Sequence, residues 1–370
     1  MRGLMLALYR FFGMFPQRRR IVFLSRESDT PPLDFRLIRE CMGREHPDYQ
    51  VVILAKRMRN PILYGFHLIR QLYYIATSKA VVLDTYAFVP CLLAGHIRIP
   101  VIQMWHGIGN MKKFGYTALD EAEGRNAKTA ELLNMHKGYS SLLISAASFI
   151  DDYAAGFNVR EDIIHVAPLP RVDLLVNPEY RKKQRQRILK AFPQLAGKKN
   201  IVYCPTFRKR RPGNQQAAWS ELAQSVNFNA FNLILKSHPL DTTRFENSRV
   251  LQDYPSDFDM LFIADYVISD YSTVIYEAGL LDVPVFLYGY DWAEYSSRRS
   301  LYIDPATDVP TLFTDDPKKI IHAICRDDFD AKAYRRFVSR NVTLPSHGSC
   351  TEQVVNHILE QIRIGARAGK

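Results

Sequence analysis

The stretch DYVISDYSTVIYEAGLL, residues 265–281, decides the fold class. Tyr266-Val267-Ile268-Ser269 is a short β-branched and aromatic run of the kind a buried strand needs. A polar turn, Asp270-Tyr271-Ser272-Thr273, follows it, and a helical pattern then runs to Leu281, with Ser272 or Thr273 placed to cap its start. A strand that feeds directly into a helix is the unit of a parallel α/β sheet. The same alternation extends in both directions. Ile201–Cys204, Asn232–Lys236 and Pro284–Leu287 read as further strands, with helices between them. In the first half Ile21–Ser25, Gln50–Ala55, Ala80–Asp84, Pro100–Trp105, Ser141–Ser145 and Ile164–Ala167 read the same way. Asp34–Gly43 and Ile62–Ser78 carry amphipathic helical spacing, and the aromatics of the latter (Tyr64, Phe66, Tyr73, Tyr74) suit a core.

The sequence has 370 residues, more than one hydrophobic core usually serves. It turns irregular at Pro168, Pro170 and Pro178 and strongly basic through Arg181–Lys190, which places the domain boundary there. The expected architecture is α/β: two Rossmann-like, doubly wound domains at residues 21–175 and 176–348 facing a central cleft, with a closing helix at 349–370. Residues 1–20 form a separate segment. Leu4, Leu8, Phe11, Phe12 and Phe15 recur at helical spacing, the stretch holds five arginines, and it has no acidic residue. That pattern reads as an amphipathic helix lying on an anionic membrane surface, the alternative being a core helix with solvated arginines. Arg10 interrupts the apolar region, which argues against a signal peptide, and no apolar run reaches the ~18–20 residues of a membrane span.

Forty-nine Lys and Arg against 38 Asp and Glu give a formal charge of +11, which calls for a polyanionic partner. Nucleic acid is the weakest form of that partner, because no stacking motif is interleaved with the basic residues. The five cysteines are scattered with no Cys-x-x-Cys pair and fit reduced thiols in a cytosolic setting.

Four polar constellations follow strands, where an α/β protein places its chemistry. Trp105-His106-Gly107-x-Gly109 offers a histidine suited to act as general base beside glycines that admit a substrate; a hydrogen-bonded structural histidine at a tight turn has the same pattern. In Thr206-Phe207-Arg208 the arginine suits a phosphate. Lys236 and His238, before Pro239, suit a diphosphate. Ser272 and Thr273 begin a helix whose N–H groups can meet an anion, and Glu277 lies one turn on, placed for a sugar hydroxyl; a well-capped structural helix is the alternative. Asp257-x-Asp259 has the form of a metal motif but sits where carboxylates cap a helix, and His347-Gly348-Ser349 reads as a loop and cap.

These segments resemble, in order, those of the CDP-glycerol glycerophosphotransferase family of teichoic-acid synthesis, and in particular its short primase-type members. The resemblance rests on Trp105-His106-Gly107, Thr206-Phe207-Arg208, His238-Pro239, Ser269-Asp270-Tyr271-Ser272 and Pro170-Arg171-x-Asp173. It implies a GT-B fold with the nucleotide in the C-terminal domain and the acceptor at the N-terminal one. His106 is then the catalytic base, and Arg208, Lys236, His238, Ser272 and Thr273 hold the donor diphosphate. Glu277 meets the ribose, while Trp105, Gly107 and Gly109 are acceptor or loop contacts. The implied reaction moves glycerol phosphate from CDP-glycerol to a hydroxyl of a polyprenyl-diphosphate-linked glycan and releases CMP, without metal or other cofactor and without nucleic acid. The implied location is peripheral, at the cytoplasmic face of the membrane. Thr273, Glu277 and Ser300 depart from the family pattern at the donor loops, so CDP-ribitol remains an alternative donor. A GT-B glycosyltransferase using a nucleotide sugar would show similar strand-end residues.

Overall fold

The computed structural model describes residues 2–206, 208, 215–236, 244–245, 247–252, 254, 256 and 258–368. The chain divides into two units: Met1–Gly107 with Phe114–Asp173 and Thr343–Lys370, and Ile108–Lys113 with Leu174–Val342.

The first unit opens with α1 (Arg2–Phe12) and then alternates: β1 (Arg20–Ser25), α2 (Leu33–Glu45), β2 (Gln50–Ala55), α3 (Pro61–Thr77), β3 (Ala80–Leu83), α4 (Phe88–Leu92) and β4 (Val101–Gln103). It continues with α5 (Ala127–Leu132), β5 (Ser141–Ile144), α6 (Ile150–Phe157) and β6 (Ile164–Val166). The strands form one parallel sheet in the order β2-β1-β3-β4-β5-β6. β1, β3 and β5 are buried along their whole length, as strands covered on both faces must be, whereas the edge strand β2 is only partly buried. The order reverses between β1 and β3, so the crevice beyond their carboxyl ends is the place where such a sheet binds ligands.

α7 (Arg171–Val176) carries the chain from one unit to the next. The second unit then has α8 (Pro178–Ala191), β7 (Lys199–Cys204), α9 (Gln215–Ser225), β8 (Phe231–Leu235), β9 (Val250–Leu251), β10 (Tyr266–Ser269) and α10 (Val274–Leu280). β11 (Val285–Tyr288), α11 (Trp292–Arg298), β12 (Phe313–Thr314), α12 (Pro317–Cys325) and α13 (Ala331–Asn341) complete it. Its sheet runs β12-β11-β10-β7-β8-β9, again parallel, and reverses between β7 and β10. The two-residue edge strands β9 and β12 carry too little pattern to be read from sequence. Asn60, Asn177 and Asp316 each cap a helix that has proline at its first position, which accounts for the sharp starts of α3, α8 and α12.

α14 (Cys350–Ala368) belongs to the first unit. Its start is a capping box, Ser349 Oγ accepting from Glu352 N and Glu352 Oε2 from Ser349 N. Asp173 adds a remote cap, accepting from the Cys350 and Thr351 amides at 2.7 and 2.9 Å and from the Thr351 hydroxyl at 2.6 Å.

Two expectations need correction. Arg20 is no part of an exposed arginine cluster: it is 3% exposed, begins β1, hydrogen-bonds Thr77 and Ser78, and lies over the Tyr74 ring. The aromatics of α3 also split by position. Tyr64 is buried, but Phe66 is 65% exposed, and Ile62 and Leu63 are exposed beside it. α1 packs on α3 through Phe12 and Tyr73, and Leu4, Phe11, Met14 and Phe15 stay exposed. Among the described residues no helix is long and apolar enough to cross a membrane.

Candidate active site

In the first unit, polar residues gather beyond the ends of β3 and β4. His106 is exposed, and its Nδ1 lies 3.0 Å from the Asp84 carbonyl oxygen. A carbonyl can only accept, so Nδ1 carries the proton and Nε2 keeps its lone pair. The imidazole is thereby set in the tautomer that a general base requires.

The backbone that presents it is strained. Trp105 has φ +59, a left-handed conformation that a bulky residue rarely adopts. Gln103 holds it there. Its Oε1 accepts from the Trp105 amide at 2.9 Å, while its Nε2 donates to the Thr85 carbonyl at 3.1 Å and the Tyr139 hydroxyl at 3.3 Å. Tyr139 in turn bonds His136 Nδ1 at 2.9 Å, and the Trp105 ring packs against His106, Phe114 and Phe157. Strain of this kind persists only where the surroundings over-determine it, which is common at reactive sites.

Asp84 is buried. Burial pushes its carboxyl up from the ordinary 3.8 to about 7, against hydrogen bonds from Ser25 and Thr85 that pull the other way. Arg171 completes this end of the sheet: its amide and guanidinium grip Asp34, and the guanidinium also reaches the His106 carbonyl at 3.4 Å. The Pro170-Arg171-x-Asp173 segment therefore ties α2, the His106 loop and α14 within one unit.

In the second unit, a buried ion cluster occupies the reversal between β7 and β10. Arg208 is 5% exposed. Its Nε and Nη2 bond the two Asp291 oxygens at 2.9 Å each, and its Nη1 bonds Asp270 at 2.8 Å and the Thr206 carbonyl at 2.5 Å. Asp270 is fully buried and also accepts from the Thr206 and Tyr271 amides. Burial works against charge on both partners, yet Arg208 and the carboxylates overcome it, holding the guanidinium above its ordinary pKa and Asp270 below its own. The phosphate-binding part expected of Arg208 does not fit these partners. Its donors serve two carboxylates and a carbonyl, and its role is to brace the turns after β7 and β10.

Other expected residues divide. Ser272 and Thr273 are half-buried at the start of α10, but the cap is weak: Ser272 Oγ accepts from Val274 N at 3.4 Å and Thr273 makes no cap bond. Glu277 is half-buried on the same helix. Lys236 follows β8 and its amide bonds the Tyr203 carbonyl at 2.7 Å. His238 and Pro239 lie outside the described residues. Gly109 has φ +70, and a Cβ there would stand 2.4 Å from the Tyr276 ring, so only glycine suits the loop 108–113. That loop brings Lys112 to the same reversal, where its Nζ donates to Thr206 Oγ1 at 3.3 Å. Among the described residues no group of three or more His, Cys, Asp or Glu could hold a metal; Asp259 instead pairs with Arg187.

A family model described as CDP-Glycerol:Poly(glycerophosphate) glycerophosphotransferase matches residues 7–360. The chain belongs to this family. Over 364 residues this transferase is 27% identical to the teichoic acid ribitol-phosphate primase of Bacillus spizizenii, covering 95% of this chain and 93% of the relative. It is 25% identical over 325 residues to the teichoic acid glycerol-phosphate primase of Bacillus subtilis, covering 86% and 81%. In structure it resembles the wall teichoic acid polymerase TagF, in a form soaked with CDPG, with a TM-score of 0.74 and 18% identity over 97% of this chain and 94% of that one. That likeness establishes the GT-B-like fold, two Rossmann-like domains with parallel six-stranded sheets.

Sequence reasoning passed over Gln103 and Asp291 and gave Asp84 no task. Asp84 and Gln103 had one legible signal, a polar side chain at or beside the end of a predicted strand. Asp291 had none, because its partner Arg208 is remote in sequence.

Proposed function

We propose that this transferase moves glycerol phosphate from CDP-glycerol to a hydroxyl of a polyprenyl-diphosphate-linked glycan, as a primase. The observation that carries the reading is the His106 tautomer, with Nδ1–H on the Asp84 carbonyl and Nε2 available at the strand ends. The acceptor oxygen attacks the β-phosphorus of the donor while its proton passes to Nε2. The bond from that phosphorus to the bridging oxygen breaks, and CMP leaves with the electron pair. Such a base contributes on the order of 10²–10⁴-fold. The rest of the acceleration comes from positioning and from charge placed against the phosphoryl oxygens. Lys112, Lys236, Ser272 and Thr273 are the groups for the diphosphate, and Glu277 for the ribose. The names of the B. subtilis relative and of the CDPG-soaked TagF support the glycerol donor. CDP-ribitol is the second reading, favoured by the ribitol-phosphate primase that aligns along 95% of the chain.

In the same reading α1 is the membrane-contacting element, at the cytoplasmic face, a proposal supported by its exposed Leu4 and Phe11 beside Arg2 and Arg10. Loss of co-sedimentation with phosphatidylglycerol vesicles in Leu4→Ser/Phe11→Ser supports that contact, and retained binding refutes it.

The deciding experiment supplies CDP-glycerol, CDP-ribitol and a UDP-sugar panel with bacterial lipid extract as acceptor. Acceptor-dependent CMP release from one CDP-polyol, absent in His106→Ala, supports the reading and names the donor. Nucleoside diphosphate released from a UDP-sugar overturns it in favour of glycosyl transfer.

A further inference from the structure

The first unit holds two arginines that the reaction above does not use. Arg26 directly follows β1, and Tyr86 follows β3 by three residues, so they flank the point where the strand order reverses. The Arg26 guanidinium donates to the Tyr86 carbonyl at 2.9 Å and stands 5.7 Å from the Tyr86 ring centre and 4.6 Å from that of Phe88. The Arg125 guanidinium stands 5.2 Å from the same Tyr86 ring. Both arginines are half-buried, and neither forms an ion pair with a carboxylate among the described residues. Arg26 Nε is buried with no hydrogen-bond partner among the described residues.

Arg171 and Arg208 differ: Arg171 has Asp34, and Arg208 has Asp270 and Asp291, while the buried Arg20 is answered by Thr77 and Ser78. Partly desolvated cations without counter-ions are costly, and two of them sharing one ring repel each other. An anion received by both relieves the two penalties together, and the guanidinium fork matches phosphate oxygens.

The surroundings indicate what the anion is attached to. Burial raises the Tyr64 hydroxyl on α3, and the Arg26 charge is close enough to pull it the other way. Beside Tyr64 on that helix, Ile62, Leu63 and Phe66 are exposed at 75, 57 and 65%. In the other direction, β4 with its His106 loop is one strand beyond β3. Two strand spacings, about 10 Å, separate the backbone at Arg26 from that at His106, room for a short saccharide. An open apolar face, an unpaired cationic pair and a base thus follow one another along one end of one sheet.

We propose that Arg26 and Arg125, which share the Tyr86 ring, bind the diphosphate of a lipid-linked acceptor whose apolar chain lies against the exposed face of α3. This inference rests on the acceptor chemistry proposed above.

The test measures binding of inorganic pyrophosphate and of farnesyl diphosphate to the full chain, with CDP saturating the nucleotide site. Wild type is compared with Arg26→Gln, Arg125→Gln and, to keep charge while removing the fork, Arg26→Lys. Each Gln variant should weaken both ligands about 10- to 100-fold, with Arg26→Lys between it and wild type and CDP affinity unchanged. Phe66→Ser should weaken farnesyl diphosphate but leave pyrophosphate as it was. Unaltered affinity in both Gln variants and in Arg26→Lys overturns the site. A Phe66→Ser effect of zero, with the arginine effects present, overturns the lipid assignment in favour of a soluble phosphate. Phosphatidylglycerol vesicles that bind with the same arginine dependence and block farnesyl diphosphate overturn it in favour of a membrane headgroup. The outcome is separable from the reaction itself: CDP-polyol turnover that ignores His106→Ala defeats the catalytic reading while leaving these binding ratios intact.

Discussion

The two sheets of this transferase present charge at their reversal points in opposite ways. In the second unit Arg208 is sealed between Asp270 and Asp291, its charge is answered by theirs, and the product is a braced pair of turns. In the first unit His106 is exposed and oriented by a backbone carbonyl, Trp105 is held in a strained conformation, and Arg26 and Arg125 have no carboxylate partner among the described residues. Compensated charge builds shape, whereas uncompensated charge and strain mark where a substrate is to be received.

The largest effect that sharpens this contrast falls on the exposed side. His106→Ala should lower turnover on the order of 10²–10⁴-fold with CDP affinity and folding stability near wild type. A mutant that keeps its turnover removes His106 from the chemistry. On the buried side, Arg208→Met should behave oppositely, destabilising the protein by about 3–5 kcal/mol in urea unfolding because two carboxylates are left buried and unpaired. Adding Asp270→Asn and Asp291→Asn should recover part of that loss. An Arg208→Met protein with wild-type stability but weakened CDP binding would restore the phosphate role and break the comparison.

Asp84 provides a pH test. Its folded pKa, about 7, lies above the ordinary 3.8, so folding favours the protonated acid. Its contribution is complete below about pH 4 and is lost as pH rises through about 7, so stability should decline across that window by about 2–4 kcal/mol. Asp84→Asn should flatten the decline, and an unchanged slope would place the titration elsewhere. The smallest effect concerns the strained turn. Gln103→Ala should lower turnover about 10- to 100-fold by releasing Trp105 and letting His106 drift, while KM for the donor and the pH profile stay put. A proportional rise in KM instead would assign Gln103 to binding.

Much of the architecture was legible because parallel strands announce themselves locally. Gln50–Ala55 and Tyr266–Ser269 match their predicted bounds, since a short β-branched apolar run bounded by polar turns admits little else. The core strands Ala80–Leu83 and Ser141–Ile144 each end one residue before the predicted limit, just ahead of the polar residues Asp84 and Ser145. The α3 aromatics misled, because a helix that packs on one side leaves positions such as Phe66 outward, and composition does not record which side. The strand-end constellations also located His106 and the Ser269–Ser272 turn, for the topological reason that ligands meet these sheets at carboxyl ends.

By itself the sequence determined the α/β class with two Rossmann-like domains, the family and the order of the polar segments, all of which depend on local patterns in the chain. Tertiary structure alone decided what each charged group does. Arg208 looked like a phosphate ligand until Asp291, remote in sequence, was seen to occupy it, and Arg26 and Arg125 gained meaning only from the one tyrosine ring they share. The physical reason is that a charge takes its role from its counter-charge and its dielectric surroundings, and folding assembles both from residues far apart in the chain.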